Sequence, residues 1–551
     1  MSKEIQPIYI LGEGSSRTTG KTAQSNNILA AKLVAETVRS TLGPKGMDKM
    51  LVNSMGDVVI TNDGATILKE MDISHPAAKM LVEVAKTQES EVGDGTTTVV
   101  VLAGEFLKRA EILLEQEIHP TAIINGYRMA GKKAIEILNS FGQKISSKDS
   151  DILEKIASTA MTGKGAEVSK DVLAKIVVKA VQQVAEDNLF AGKKVDIDSK
   201  ITIDRNDIKI EKNLGGSIED TTLVEGIVLD KERVHPEMPR VVNDAKILLL
   251  DSPIEIKNTE IDAKISITNP KQMQEFIEQE GMMLKSMVDN ITKTGANVVI
   301  CSKGIDDLAQ HFLAKRNIYA IRRVKKSDIE KLAKATKGKI VSQLSEVTEK
   351  ELGRAGKVEA VKIKDEEMTY VTNCKNPKAV TIIVRGGTEH IVDEVKRALE
   401  DAIGDVSSAL KTGTAVAGAG AIEIELSKEL RKFAHTVKGK EQHAVIAFAD
   451  SLDIIPKTLA ENAGLDPIDI ISELKSVHAK KGNESFGIDV FSGKVVNSWS
   501  KGVIEPLKLK TQAVSSATEV TTMILRIDDI VMSSGGAGNS GPRTPPMGDL
   551  E

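Results

Sequence analysis

The sequence predicts a multidomain protein of α and α/β type, with mainly helical ends around a mixed α/β middle. Three observations predict it. At 551 residues the chain is too long for one hydrophobic core, so two to four domains are expected. In the N-terminal third, apolar residues recur at helical spacing: Ile28, Leu29, Leu33, Val34, Val38 and Leu42 mark one helix face. Near Val195 the period shifts towards strict alternation, through Ile197, Ile201, Ile203, Ile208 and Ile210, which signals strands.

In chain order, the first helix should stop at Pro44, which sits between Gly43 and Gly46. Met50–Val52 and Val58–Ile60 read as a hairpin turning at Asn53–Asp57. Helical patterns follow at 65–71, 75–91, 96–117, 120–140 and 149–160. In the middle, Ala245–Leu250 and Asn297–Cys301 read as buried strands. Between Val298 and Val324 a strand, a helix (Ile305–Lys315) and a second strand form a βαβ unit. Pro270–Ile291 is a helix rich in methionine, with Met273, Met282, Met283 and Met287. Its apolar stripe at 273, 276, 277, 284, 287 and 288 favours packing into a core. Strands return at Val358–Ile363 and Ala379–Val384, and the chain is then expected to be helical to about 480. Residues 533–551 are Gly-, Ser- and Pro-rich and are expected to form a disordered tail.

Composition narrows the function. Lys and Arg total 74 against 79 Asp and Glu, a net charge of −5, which gives no electrostatic case for nucleic acid or an anionic membrane as partner. The start has no basic segment followed by an apolar one, and the longest apolar run, near Val99–Ala103, cannot span a bilayer. Only two cysteines occur, Cys301 and Cys374, so a reducing, cytoplasmic setting is expected and each reads as a small buried apolar residue. The eight histidines form no HExxH and have no CxxC partner, so no zinc motif is expected.

Three turns carry the chemistry: Thr41–Gly46 (TLGPKG), Asn62–Thr66 (NDGAT) and Gly93–Thr98 (GDGTTT). Gly93–Thr98 opens a helix, whose first N–H groups and partial positive charge suit phosphate. Thr96, Thr97 and Thr98 add hydroxyl donors. Asp94 beside phosphate makes sense as a Mg²⁺ ligand. An ordinary N-cap accounts for the same residues equally well. Thr41–Gly46 taken alone is a helix stop, and Asp63 taken alone is an N-cap. Their coincidence within about sixty residues points to binding and hydrolysis of a nucleotide, with Asp63 placed to orient or deprotonate water. Met161–Gly165 offers Lys164 between glycines, either for a γ-phosphate or as a solvated turn. Asp393, Glu394, Glu400, Asp401 and Asp405 decorate one helix and read as its solvated face. Gly14–Thr22 (GSSRTTGKT) is near a Walker A loop, but has five residues between the glycines where four are required, so a P-loop is not expected.

Together these segments resemble the group II chaperonins of the TCP-1/cpn60 family, in particular the archaeal thermosome subunits. The matching residues are Thr41–Leu51, Thr61–Leu68, Gly93–Thr98, Gly163–Gly165, Val384–Gly387, Gly418–Gly420, Phe486–Val490 and Gly502–Leu507. The resemblance implies an equatorial ATPase domain from 1–148 and 405–532, and an intermediate hinge domain from 149–218 and 371–404. It implies an apical domain from 219–370 with a lid at about 252–288. It further implies ATP contacts from Leu42, Gly43, Pro44, Asp94, Gly95, Thr96, Thr97, Thr98 and Lys164, and from Gly418, Gly420, Asp489, Val490 and Glu505 at the ribose and base. Asp94 would hold Mg²⁺, Asp401 would be the catalytic carboxylate, Asp63 would position water and Lys164 would sense the γ-phosphate. The implied partners are unfolded polypeptides and identical or paralogous subunits in a stacked double ring. The alternative is a chaperonin-like scaffold that binds ATP without a productive cycle. The intact set Asp63, Asp94, Lys164 and Asp401 argues against it. The tail lacks the Gly-Gly-Met repeats of some relatives, so a role for it is not implied.

Overall fold

A computed structural model describes residues 16–52, 56, 58–185, 203–256, 270–344, 347–363 and 366–532. Apolar side chains from both ends of the chain meet in one core. The helices Gly20–Arg39, Pro76–Glu91, Thr96–Glu115 and Pro120–Phe141 come from the N-terminal third; Ala421–Ala434, Glu441–Leu452, Ile454–Asn462 and Leu507–Ile524 come from the C-terminal third. The helix Thr96–Glu115 is the axis, since Val99 to Leu107 are buried on every side, the pattern of a helix apolar all round. Gly104 lets it approach the first helix, because a Cβ there would stand 2.3 Å from the Ala35 Cβ. Phe106 stacks on Phe448 with ring centroids 4.3 Å apart.

The chain ends are joined directly. Ser16–Thr19 pairs antiparallel with Asp529–Met532, and Arg17 Nη2 lies 2.6 Å from Asp529 Oδ2. From Ser16 onward, the described part of the near-Walker segment is a strand running into a helix at Gly20, not a phosphate loop.

A second core lies between the helices Ser150–Met161, Lys170–Val184 and Glu389–Thr412 and a small sheet in which Val380–Gly386 runs parallel to Ile208–Leu214. In the middle of the chain a larger sheet has the order Tyr319–Ile321, Val298–Cys301, Val241–Leu250, Gly353–Ile363, Glu366–Thr372, Gly226–Leu229. Its first three strands are parallel, which confirms the βαβ unit. Alternate residues serve opposite faces: Ile247 and Leu249 meet the helix Lys326–Thr336, while Leu248 and Leu250 meet the helices Pro270–Lys293 and Asp307–Lys315. Cys301 and Cys374 are buried.

Several expectations need correction. The chain is not helical throughout from Val384 to about 480, because Gly413, in the left-handed region at φ 63°, ends one helix and Thr414–Ala417 forms a strand beside Ile504–Pro506. The methionine stripe enters a core only in its second half. Leu284 and Val288 are buried, whereas Phe276, Ile277, Met282 and Met283 are exposed. The helix has 24 residues and its neighbour Asp307–Lys315 has nine, about 36 Å against about 14 Å, so the neighbour cannot cover it all. The alternation at Val195, Ile197 and Ile201, the side chain of Met273, and the tail at 533–551 lie outside the described residues. Among the described residues no helix is long and apolar enough to cross a membrane.

Candidate active site

The three turns meet. A cavity of about 440 Å³ is lined by Leu42, Gly43 and Pro44, by Asp63, by Asp94 to Thr98 and by Lys164, with Gly420, Asp489, Val490 and Glu505 opposite. Two expected residues do not line it. Gly418 sits behind Glu505, where a Cβ would stand 3.0 Å from the Glu505 Cδ. Asp401 stands just behind the lining, bound to Lys164 Nζ. A wider, more open cleft of about 890 Å³ lies elsewhere, among Arg205, Lys209, Lys331 and Lys411, and contains none of the expected residues.

The geometry separates the cap readings from the site readings. Gly95 is the N-cap of the helix Thr96–Glu115, at φ 80° and with no side-chain cap, so Asp94 is not a helix cap. Its Oδ1 instead lies 3.4 Å from Lys164 Nζ. Asp63 does cap its helix, accepting from Thr66 N at 2.8 Å and Ala65 N at 3.3 Å. It also accepts from Thr96 Oγ1 at 3.1 Å, which ties the second turn to the third. Thr41–Gly46 is a genuine helix stop, held by Asn462 Nδ2 donating to Leu42 O at 2.9 Å. Asn62 donates to the Gly163 carbonyl, and Gly163 lies so close to Pro44 that a Cβ would stand 2.7 Å from its Cα. At the mouth, Lys45 Nζ sits 5.1 Å from the Phe491 ring centroid.

Lys164 is the centre of the charge pattern. Its Nζ is 2.5 Å from Asp401 Oδ2. Burial pulls the Lys164 pKa down, but Asp401 and Asp94, with Asp63 behind them, outweigh burial and raise it. Asp401 is itself raised well above the usual aspartate range by burial, against the pull of Lys164. Asp405, one turn on and fully enclosed, is raised by burial and by the nearby Asp94, and its Oδ1 has no hydrogen-bond partner among the described residues. Asp63, Asp94, Asp401 and Asp405 thus share one ammonium. An excess of buried carboxylate is unfavourable without a cation. The donors are carboxylate and hydroxyl oxygens with no sulfur or imidazole, a set that fits Mg²⁺.

Sequence reasoning missed part of the wall. Thr159 lines the cavity and accepts from Ile504 N at 3.3 Å, binding the helix Ser150–Met161 to the strand that carries Glu505. Ile455, Leu459 and Ile488 supply apolar surface near Val490, and Lys501 and Lys510 add cations. Lys510 Nζ is 2.8 Å from Glu423 and also contacts Glu505, a buried triad without a local sequence signature.

A model of the TCP-1/cpn60 chaperonin family matches residues 34–534, and the chain belongs to that family. Its relatives place it among the group II chaperonins. It is 62% identical over 530 residues to the thermosome subunit beta of Archaeoglobus fulgidus, covering 96% of this chain and 95% of that one. It is 60% identical over 524 residues to the thermosome subunit of Methanopyrus kandleri, covering 95% and 94%. The open-state monomer of a group II chaperonin from Methanococcoides burtonii is 46% identical, with a TM-score of 0.58 over 79% of this chain and all of that one.

Proposed function

We propose that the cavity binds ATP with Mg²⁺ and hydrolyses it, and that turnover drives the capture and enclosure of unfolded polypeptide in a double ring. One observation carries this reading: Lys164 joins Asp94 of the first core to Asp401 of the second. In the proposed reaction a water oxygen attacks the γ-phosphorus, the bond to the β–γ bridging oxygen breaks, and ADP leaves with the electron pair. Asp401 takes the water proton and Asp63 orients the water. The free N–H groups at Thr96–Thr98 and the Lys164 ammonium neutralise phosphate oxygens. Asp94 would hold Mg²⁺, which supplies Lewis-acid polarisation of the phosphate. Leu459, Ile488 and Val490 suit an adenine face, and Asp489 and Glu505 suit the ribose.

Asp63 and Asp94 stand on elements of the first core, while Asp401 stands on a helix of the second. A rotation between these bodies therefore moves the proton acceptor relative to the phosphates. We assign 1–148 and 405–532 to an ATPase domain, 149–218 and 371–404 to a hinge, and 219–370 to substrate binding in the cytoplasm, with a lid near 252–288. Ile254, Leu284 and Val288 are buried, so both ends of that segment are anchored in the core beneath it.

Steady-state hydrolysis on purified protein, together with negative-stain images in the presence of ATP, tests this reading. Turnover that requires Mg²⁺ and closed double rings are expected. Binding of ATP without turnover would favour the passive scaffold.

A further inference from the structure

Two histidines and a glutamate from separate segments converge far from the cavity. His235 and Glu237 lie in the connection between Gly226–Leu229 and Val241–Leu250, and His311 lies in the helix Asp307–Lys315. One ligand atom from each lies within 4.8 Å of the others. The two imidazole centroids are 5.9 Å apart with planes at 57°, so the rings converge without stacking.

We propose that His235, Glu237 and His311 bind a divalent transition-metal ion, of which zinc is the type. Two imidazole nitrogens and one carboxylate suit Zn²⁺, Co²⁺ or Ni²⁺, whereas Mg²⁺ and Ca²⁺ take oxygen ligands. Zinc bonds of about 2.0–2.1 Å place ligand atoms roughly 3.4 Å apart. Closing on an ion therefore asks for at most about 1.4 Å between any two of the ligand atoms, and the Glu237 side chain is exposed. Among the described residues neither histidine nor Glu237 has an ion-pair partner to give up.

Both supports are rigid. Arg233 Nη1 donates to Pro236 O at 3.0 Å and Met238 O at 2.5 Å, and its Nε donates to Glu367 at 3.1 Å. Val234 N donates to Ala320 O at 3.0 Å, and Met238 is buried. On the helix, Gln310 Nε2 donates to Ile305 O at 2.7 Å, and Leu313 is buried. The one local competitor is the Glu237 N–H, which donates to His235 Nδ1 at 3.2 Å. Ligation through His235 gives up that long contact or shifts the ring proton, a small loss beside two metal–imidazole bonds. Three protein ligands at a partly exposed position leave further coordination sites open. No HExxH-type spacing announces the set, because its two histidines are separated by a strand, a helix and a second strand.

The location gives the ion a consequence. His311 is three residues beyond Leu308, whose Cδ2 lies 3.6 Å from where a Cβ on Gly281 would stand. A bound ion pins the turn at 233–238 to the helix that supports the methionine-rich one, beside its exposed apolar side chains.

The test uses full-length protein stripped with a chelator. Calorimetric titration with Zn²⁺ should show one ion per chain at micromolar or tighter affinity, and Co²⁺ should give a visible d–d band that Zn²⁺ bleaches. His235→Ala and His311→Ala should each weaken binding by roughly tenfold or more, and Glu237→Gln by less. ATP hydrolysis by the variants serves as the check that they fold, since none of the three lines the cavity. Wild-type protein that gives no cobalt band, or histidine variants that bind Zn²⁺ like wild type, would overturn the proposal. Should a histidine variant not fold, the wild-type cobalt spectrum and Glu237→Gln still decide.

Discussion

Lys164 Nζ stands 2.5 Å from Asp401 Oδ2, across 237 residues of sequence. The pair joins the turn after the helix Ser150–Met161 to the middle of the helix Glu389–Thr412, and Asp94 Oδ1 completes a triangle at 3.4 Å. Because the ammonium serves two carboxylates at once, removing any one member has a different consequence for the others.

Asp401→Ala should reduce hydrolysis by about 10²–10⁴-fold while largely keeping nucleotide affinity, since the proposed proton-accepting role operates in the transition state. Lys164 retains Asp94, so the variant should fold. Turnover and binding are measured on the same preparation, and wild-type turnover would remove Asp401 from the mechanism.

Asp94→Ala should raise the Mg²⁺ concentration needed for half-maximal activity and weaken metal-dependent nucleotide binding. A Mg²⁺ titration that overlays wild type would leave Asp94 only its contact with Lys164.

Asp405→Asn should stabilise the ligand-free protein at neutral pH by about 1–3 kcal/mol, the range for relieving a buried unsatisfied polar group. The sign follows from the raised pKa of Asp405. Its contribution is most favourable when protonated, below the ordinary value of 3.8, and is lost as pH rises through the folded value. The gain from asparagine should therefore shrink on acidification towards pH about 4. Melting curves over pH 4–8 check it, and a gain independent of pH would mean that charge is not the cause.

Gly404→Ala should separate two elements of the site. A Cβ there would stand 2.7 Å from Gly93 Cα and 2.5 Å from Val92 O, both backbone atoms that cannot swing aside. Overpacking should cost about 1–3 kcal/mol, and turnover should fall further than stability alone explains because Asp401 retreats from Asp94. Unchanged kcat in a folded variant would show that the contact has slack.

Ser at both Met282 and Met283 should reduce capture of a denatured client several-fold without altering hydrolysis, since both side chains are exposed and remote from the cavity. Client binding by light scattering and ATPase rate on one sample distinguish the two effects.

The legible parts of the fold were those with local signals. Glycine and hydroxyl residues at helix starts disclosed Thr41–Gly46, Asn62–Thr66 and Gly93–Thr98, and the apolar segments Ala245–Leu250 and Asn297–Cys301 disclosed buried strands. Asp401 was legible only through family resemblance. On charge pattern alone its helix reads as a solvated acidic face, and this is right for Asp393, Glu394 and Glu400, which keep contact with solvent. It fails from Asp401 to Leu410, where every residue is buried because neighbours close around the helix on all sides. Periodicity reports one apolar face and cannot report enclosure of the other. The same limit hid Thr159, Lys510 and the His235–His311 convergence, which arise from segments that meet only in three dimensions.

The helical core that draws on both chain ends also sets a timetable for synthesis. Leu138 and Val416 belong to one core but are separated in sequence by most of the second core and the large sheet. At bacterial-type elongation rates that interval lasts on the order of tens of seconds. Through it the helices from Gly20 to Phe141 must wait with their apolar faces unmatched, while the inner units, encoded later, can close first. The nascent chain therefore matures from the inside outwards, and the strand pair Ser16–Thr19 with Asp529–Met532 is the last clasp to fasten.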